Sequence, residues 1–233
     1  MLSVVDLLEA NTLTVAQTAW LLVRILRGSS WLVGASPGGA GKTTVMSALL
    51  AMLPRGAPVW LTNRGSGWRE CKAGDTLVSY ELSPGFYDAY IWGADVVRLT
   101  ELGMTGCRIV SNLHADTLSQ ARTQIVGECG ATEEGFRAFA IFIPLSLRGS
   151  RFAPTPTVER IDYVRDGRWC RLARDELERS RRGLSVADEP DTQERPPAEE
   201  ISEFVRSCRS HNIRLIEDVQ EAWLEWCERN NLK

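Results

Sequence analysis

The sequence has few histidines, no closely spaced cysteines and no long apolar run. Only two of its 233 residues are histidine, and none of the six cysteines lies in a C-x-x-C pair. Metal sites built from histidine and cysteine need such clusters, so none is predicted, and the thiols are expected to be reduced. The apolar stretch from Thr18 to Leu26 is too short to span a bilayer, and the N-terminus has no signal-peptide pattern. We therefore expect a cytoplasmic protein.

The chain also lacks a large charge of either sign. Its net charge is −3 at pH 7, with 44% hydrophobic and 24% charged residues, which is typical of an ordinary globular protein. Without a basic excess, the composition indicates no nucleic-acid partner. The length suits one α/β domain with a smaller appendage.

The most informative segment is rich in glycine and reads S-P-G-G-A-G-K-T-T. It lies between a short apolar run at residues 31–33 and a helix-forming run at residues 45–53. A strand, a glycine-rich loop and a helix in this order are typical of a phosphate-binding loop. The residues predicted to bind the phosphates are Ser36, Pro37, Gly38, Gly39, Ala40, Gly41, Lys42, Thr43 and Thr44.

Two residues of this loop carry most of the expected chemistry. In such a loop the Lys42 ammonium reaches the β- and γ-phosphates, and the Thr43 hydroxyl holds Mg²⁺. Ser36 stands where the usual G-x-x-x-x-G-K-[ST] pattern has its first glycine. A positive φ at this serine would be strained, because only glycine adopts it without cost.

Predicted strands and helices alternate along most of the chain. Helices are predicted at residues 3–10, 14–27, 45–53, 95–104 and 117–129, and strands at 31–33, 59–62, 78–82, 89–92, 108–113 and 139–143, with a hairpin formed by 157–164 and 169–172. Such alternation favours an α/β fold with a mainly parallel sheet covered by helices.

The C-terminal part has a different composition. Residues 184–198 contain three prolines and little apolar content, which is typical of a linker. We divide the chain into a nucleotide-binding domain at residues 1–174, a linker at 175–198 and a helical hairpin at 199–233. The apolar sides of this hairpin have two possible uses, docking on the same domain or binding another subunit.

The middle of the chain resembles the type II and type IV secretion and pilus ATPases. In that family a strand ending in Gly-Glu precedes a helix, and Thr-Gly-His then opens a strand that ends in Thr-x-His-Ala. Gly93, Thr105-Gly106 and His114-Ala115 occupy the corresponding places, and the likeness covers about residues 12 to 172. It implies a RecA-like P-loop NTPase fold and the use of ATP with Mg²⁺. It also implies a homo-oligomer or an assembly with secretion or pilus proteins, associated peripherally with a membrane complex.

The catalytic residues implied by this resemblance match only in part. His114 corresponds to the family's histidine near the γ-phosphate, but the Gly-Glu position reads Gly93-Ala94, with Asp95 one residue further on. Asp95 and His114 are therefore the predicted catalytic residues. Three more carboxylates, Glu70, Glu81 and Glu101, could approach the site from loops.

The sequence leaves three functions open. The first is an ATP-binding protein that hydrolyses ATP slowly and couples this to a protein assembly. The second is a relative without turnover that serves as a structural or regulatory subunit, since the family's acidic residues are missing. The third, a small-molecule kinase, fits less well because no arginine-rich lid is evident.

Overall fold

The computed structural model describes residues 1–36, 38–56, 58–63, 67–150, 153–179 and 198–232. Its helices are α1 Val4–Glu9, α2 Val15–Leu26, α3 Lys42–Leu50, α4 Ala94–Met104, α5 Leu118–Arg122, α6 Glu133–Arg137, α7 Arg174–Arg179, α8 Ala198–Ser210 and α9 Ile216–Arg229. Its strands are β1 Trp31–Gly34, β2 Val59–Leu61, β3 Thr76–Val78, β4 Glu81–Leu82, β5 Tyr90–Ile91, β6 Arg108–Leu113, β7 Ile141–Pro144, β8 Ser146–Ser150, β9 Ala153–Thr157, β10 Arg160–Arg165 and β11 Arg168–Ala173.

A mainly parallel sheet lies at the centre of the described residues. Its order is β11-β10-β7-β1-β6-β3-β2, and β4 pairs with both β6 and β5 beside this path. β1 is parallel to its neighbours β6 and β7, whereas β10 is antiparallel to both of its neighbours, β7 and β11. All residues of β1 and β6 are buried, as expected for parallel strands covered on both faces. The predicted α/β architecture is confirmed at this level.

Local sequence signals explain where the first helices begin. Ser3 and Thr14 each accept a hydrogen bond from the backbone three residues later, and the side chains of Asp6 and Gln17 return a bond to the cap. Such capping boxes satisfy N–H groups that have no acceptor inside the helix. Both helices therefore start within a residue or two of their predicted positions.

Three segments differ from the predictions. The predicted strand 78–82 is divided between β3 and β4, because the segment has one residue more than β6 between the pairs Val78–Val110 and Leu82–Leu113. Asn112 Nδ2 donates to the Tyr80 carbonyl at 2.9 Å in this gap. The hairpin of β8 and β9 was not predicted, since Pro154 and Pro156 hide its strand pattern. The helix predicted at 117–129 is interrupted by a π-helical segment, Thr123–Glu128.

The C-terminal helices pack on the rest of the chain. α8 lies against α2, with Ile201 and Val205 completely buried. On α9, Trp223 is also fully buried, and its indole Nε1 donates to the Met52 carbonyl at 2.7 Å. Of the two possible uses of this hairpin, the structure thus shows docking on its own chain. Residues 180–197, which include most of the predicted linker, lie outside the described residues, so the three-part division stays a prediction.

No helix in the described part of the chain has the length and apolar character needed to cross a bilayer.

Candidate functional site

The glycine-rich loop begins where β1 ends, at the carboxyl edge of the sheet. Gly34, the last residue of β1, has no room for a side chain. A Cβ there would lie 2.3 Å from the Ala115 carbonyl oxygen and 2.5 Å from the Phe142 ring. This close approach holds the start of the loop against the chain that follows β6.

The loop leads directly into α3. Gly39 and Gly41 have φ values of +76° and +91°, which favour glycine. Gly41 caps α3 without a side-chain hydrogen bond, so the first N–H groups of the helix lack intrahelical acceptors and point outward. Such a helix start attracts anions.

The remaining loop residues differ in exposure. Ser36 is not among the described residues with positive φ, so serine costs no strain at this position. Its N–H donates to Asp116 Oδ1 at 2.7 Å. Gly38 is exposed, Ala40 is buried and Thr44 is half-buried in the first turn of α3. Pro37 lies outside the described residues.

Lys42 is a buried cation with three polar neighbours. Only 8% of the residue is exposed. Its Nζ donates to the Ala35 carbonyl at 3.1 Å and lies 3.3 Å from His114 Nδ1. A carboxylate oxygen, Glu81 Oε1, lies 3.1 Å from the same ammonium. The ammonium thus lies beside Ala35, the residue just before the loop, and the Glu81 carboxylate balances its charge.

Glu81 joins Lys42 to His114. The residue is 6% exposed, and its Oε1 lies 3.1 Å from His114 Nε2 as well. Neither contact of Oε1 has the alignment of a hydrogen bond, and its contact with the Lys42 ammonium is an ion pair. His114 Nδ1 lies 3.0 Å from the Ser36 carbonyl. The Nδ1 atom thus lies between the Lys42 ammonium, which can only donate to it, and the Ser36 carbonyl, which can only accept from it.

Thr43 is tied to β6 through a buried amide. Asn112 is 1% exposed, and its Nδ2 donates to Thr43 Oγ1 at 3.3 Å. The same amide group donates to the Tyr80 carbonyl, just before Glu81. One side chain thus fixes the first turn of α3, the end of β6 and the start of β4 relative to one another.

The two predicted catalytic residues lie in different places. His114 belongs to the Lys42 and Glu81 cluster. Asp95 lies in the first turn of α4, after β5, and β4 separates β5 from β6. The side chains that contact Lys42 and His114 within the described residues do not include Asp95.

The sequence indicates Glu81 only as one of three glutamates that could reach the site. Its position follows from pairing, because Leu82 of β4 pairs with Leu113 of β6, one residue before His114. Glu70 and Glu101 lie on the surface, where Glu101 pairs with Arg98 and Glu70 is exposed. The signal for Glu81 is a glutamate within the otherwise strand-like segment V-S-Y-E-L.

Aromatic side chains extend from this cluster to the surface. Burial, followed by the charge of Glu81 and a hydrogen bond to its carboxylate, raises the pKa of Tyr90. The Tyr90 ring stacks on Tyr80 with centroids 6.1 Å apart and contacts Tyr87 at 5.1 Å. Tyr87 is exposed. Tyr90 thus links Glu81 to an exposed aromatic surface.

Comparison with known proteins gives a structural likeness but no match in sequence. No family model matches the chain, and no curated protein matches it in sequence. Among solved structures, the chain is similar to the VirB11 ATPase from the Brucella suis type IV secretion system, in complex with sulphate, with 14% identity and a TM-score of 0.39. The match covers 61% of this chain and spans half of the VirB11 chain. Membership of the secretion ATPase family therefore stays a proposal.

Proposed function

We propose that this chain binds ATP with Mg²⁺ at the loop of residues 36–44 and hydrolyses it with the help of Glu81. The observation that carries the proposal is the meeting of Lys42, Glu81 and His114 at the mouth of the loop. A phosphate-binding motif, a buried lysine and a buried carboxylate converge there from three elements of the sheet and its helices.

Phosphate binding is assigned to the loop and to Lys42. The N–H groups at the start of α3 can donate to an anion, because they have no acceptor inside the helix. Lys42 is the first residue of this helix, and its ammonium is held by the Glu81 carboxylate. A bound γ-phosphate would contact Lys42 Nζ together with Glu81 or in place of Glu81.

The oxygen donors of the site fit Mg²⁺. Thr43 Oγ1 and the Glu81 carboxylate are hard ligands of the kind that Mg²⁺ prefers, and both flank the loop. Thr43 and Glu81 would hold the ion directly or through water. The ion supplies neutralisation of the phosphate charge.

Glu81 is proposed as the residue that orients the attacking water. Phosphoryl transfer needs such a group as well as the residues that bind the phosphates. Asp95, predicted from the motif order, would have to approach across β4, whereas Glu81 lies beside Lys42. His114 holds Glu81 through its Nε2 and positions it.

The wider role rests on the resemblance to the secretion and pilus ATPases. We propose a RecA-like P-loop NTPase, because the loop joins a central parallel strand to a helix. As in that family, it would act in the cytoplasm in a homo-oligomer, or with secretion or pilus proteins at a membrane complex. The exposed aromatic surface around Tyr87 supports a contact with another protein near the site.

The test compares ATP binding, by calorimetry, with phosphate release. Lys42→Ala should abolish the Mg²⁺-dependent part of ATP binding while circular dichroism shows an intact fold. Glu81→Gln should bind ATP and lose turnover by about 10²–10³-fold, the effect of removing one group that stabilises the transition state. Asp95→Asn serves as the matched carboxylate control and should keep turnover.

Two results would contradict the proposal. Equal ATP affinity of wild type and Lys42→Ala removes the site, and full turnover in Glu81→Gln removes the role of that carboxylate. Should Lys42→Ala fail to fold, the double variant Lys42→Met/Glu81→Gln, which removes both buried charges together, replaces it.

A second function is favoured by one specific observation. Ala94 stands where the resembled family has its glutamate, and Glu81 is already engaged by Lys42. A relative that binds ATP without turnover, as a structural or regulatory subunit, fits this arrangement. It predicts ATP binding by the wild type with no phosphate release above the Lys42→Ala background.

A further inference from the structure

A cavity lies at the amino edge of the sheet, away from the glycine-rich loop. Its volume is about 450 Å³, and its walls come from the segments that precede β1, β2 and β3 and from the first residue of β6. The charged lining residues are Arg27, Arg55, Arg108 and Asp75. Three positive charges and one negative charge give this cavity a net charge of +2, in a chain whose total is −3.

Arg108 is the buried member of this set. It is 8% exposed and lies at the first position of β6. Its Nη2 donates to the Ile25 carbonyl at 2.8 Å and its Nη1 to Thr76 Oγ1 at 3.2 Å, whereas Nε has no hydrogen-bond partner. Within the described residues, the guanidinium has no ion pair with a carboxylate.

This cation remains charged in the folded protein at neutral pH. Burial lowers the pKa of Arg108 to about 10, which is still well above 7. The Ile25 carbonyl belongs to the last turn of α2, whose negative end offsets part of the charge. A full counter-charge is lacking among the described residues, and buried charges are normally paired.

The cavity is built so that a ligand can reach this guanidinium. Gly28 faces it, 3.9 Å from Nη2 when measured from an added Cβ, and contributes no side chain on this side of the guanidinium. Arg55 stands at the rim with 66% of its side chain exposed. Its Nε lies 3.1 Å from Glu228 Oε1 of α9, a contact that an anion in the cavity would compete with.

We propose that this cavity binds a small phosphorylated molecule, with its phosphate between Arg55 and Arg108. A guanidinium group can donate two parallel charge-assisted hydrogen bonds to phosphate oxygens, and a phosphate group can accept from both arginines at once. The volume is in the range of about 300–1,000 Å³ that is typical of small-molecule sites. This site is independent of ATP binding at the loop.

The experiment measures anion binding where the loop cannot contribute. The background is the variant Lys42→Met/Glu81→Gln, and the probes are pyrophosphate and adenosine monophosphate, each titrated by calorimetry. One probe molecule should bind per chain. Arg55→Gln in this background should weaken binding about three- to tenfold, because it removes one charge-assisted contact. Arg206→Gln removes an equal charge from the exposed face of α8 and should change nothing.

A second variant should move the affinity in the opposite direction. Glu228→Gln removes the carboxylate that competes for Arg55 and should tighten binding a few-fold. A purely structural role of the arginines would give neither change. Tighter binding of adenosine monophosphate indicates an organic phosphate as the ligand, and tighter binding of pyrophosphate an inorganic one; both support the site.

The proposal is overturned if neither probe binds to the background variant, or if Arg55→Gln and Arg206→Gln have the same effect. These outcomes leave ATP binding at the loop untouched, since that is judged in the wild type.

Discussion

The two edges of the central sheet each contain a buried cation, and the two are compensated in different ways. Lys42 at the carboxyl edge and Arg108 at the amino edge are both 8% exposed. Lys42 lies 3.1 Å from a carboxylate, Glu81, whereas Arg108 donates to a carbonyl and a hydroxyl. The charge of Lys42 is balanced by Glu81, whereas Arg108 has no carboxylate partner among the described residues and lines a cavity.

This difference bears on what each edge can bind. At the carboxyl edge, an incoming phosphate must exchange with Glu81, so binding and the position of the carboxylate are coupled. At the amino edge, an anion would supply a charge that the fold does not provide. The first arrangement suits a reaction, and the second suits a ligand that stabilises the fold.

The largest expected effect comes from breaking the pair at the carboxyl edge. Glu81→Ala leaves Lys42 buried without its carboxylate and should lower the free energy of unfolding by about 3 kcal/mol. The double variant Lys42→Met/Glu81→Gln should cost less than the sum of the single changes, since no charge is left alone. Urea denaturation of the full cycle gives the coupling energy. Additive costs would show that the two residues do not interact.

A second comparison uses one glycine from each edge. Gly34→Ala places a Cβ 2.3 Å from the Ala115 carbonyl and should cost about 3 kcal/mol, because neither neighbour can move freely. Gly28→Ala meets only Arg108 at 3.9 Å, so its cost should be about 1 kcal/mol, for a side chain at φ +81°. Equal denaturation midpoints for the two variants would contradict this packing difference.

The sequence predicted the carboxyl edge well where the signals are local. β1, the loop and α3 follow from an apolar run, glycines and Gly-Lys-Thr-Thr, and β6 follows from its apolar residues and the His-Ala that ends it. The capping boxes at Ser3 and Thr14 likewise fix helix starts. Such signals involve residues within a few positions of one another, so no knowledge of the fold is needed.

The position of Glu81 depends on pairing between distant segments. β4 has two residues, too few for a periodic pattern, and its place beside β6 is set by tertiary contacts. Motif order points to Asp95 after β5 and does not show that Glu81 lies beside Lys42, because a sequence gives the order of strands along the chain and not their order in the sheet. The arginine cavity was not predicted for the same reason, since Arg27, Arg55 and Arg108 are far apart in sequence.

A smaller effect is expected from removing the cation at the amino edge. Arg108→Met leaves the Ile25 carbonyl and the Thr76 hydroxyl without this donor, but it leaves no carboxylate of the described residues unpaired. The free energy of unfolding should fall by about 1 kcal/mol, well below the cost of Glu81→Ala. Denaturation in the same buffer tests this order. A larger loss for Arg108→Met would mean that a carboxylate outside the described residues compensates it.

The smallest expected effect is a pH dependence of the free energy of unfolding that arises from Arg108 at the amino edge. Burial lowers the pKa of Arg108 from 12.5 to about 10, so above that pH the folded state releases a proton that the unfolded state keeps. The unfolded state then binds more protons, and the wild type gains stability with rising pH relative to Arg108→Met. The gain should be about 0.4 kcal/mol at pH 10 and close to zero at pH 8.

The difference in free energy of unfolding between the wild type and Arg108→Met isolates the contribution of Arg108. Buried thiols such as Cys129 and Cys227, whose pKa values burial raises to about 11 and about 12, lower stability as the pH rises past 9, but they do so equally in both proteins. Arg206→Gln, an exposed change, should show no such trend against the wild type. A flat difference for Arg108→Met up to pH 10.5 would mean that the guanidinium is compensated as fully as Lys42 is, and the contrast between the two edges would disappear.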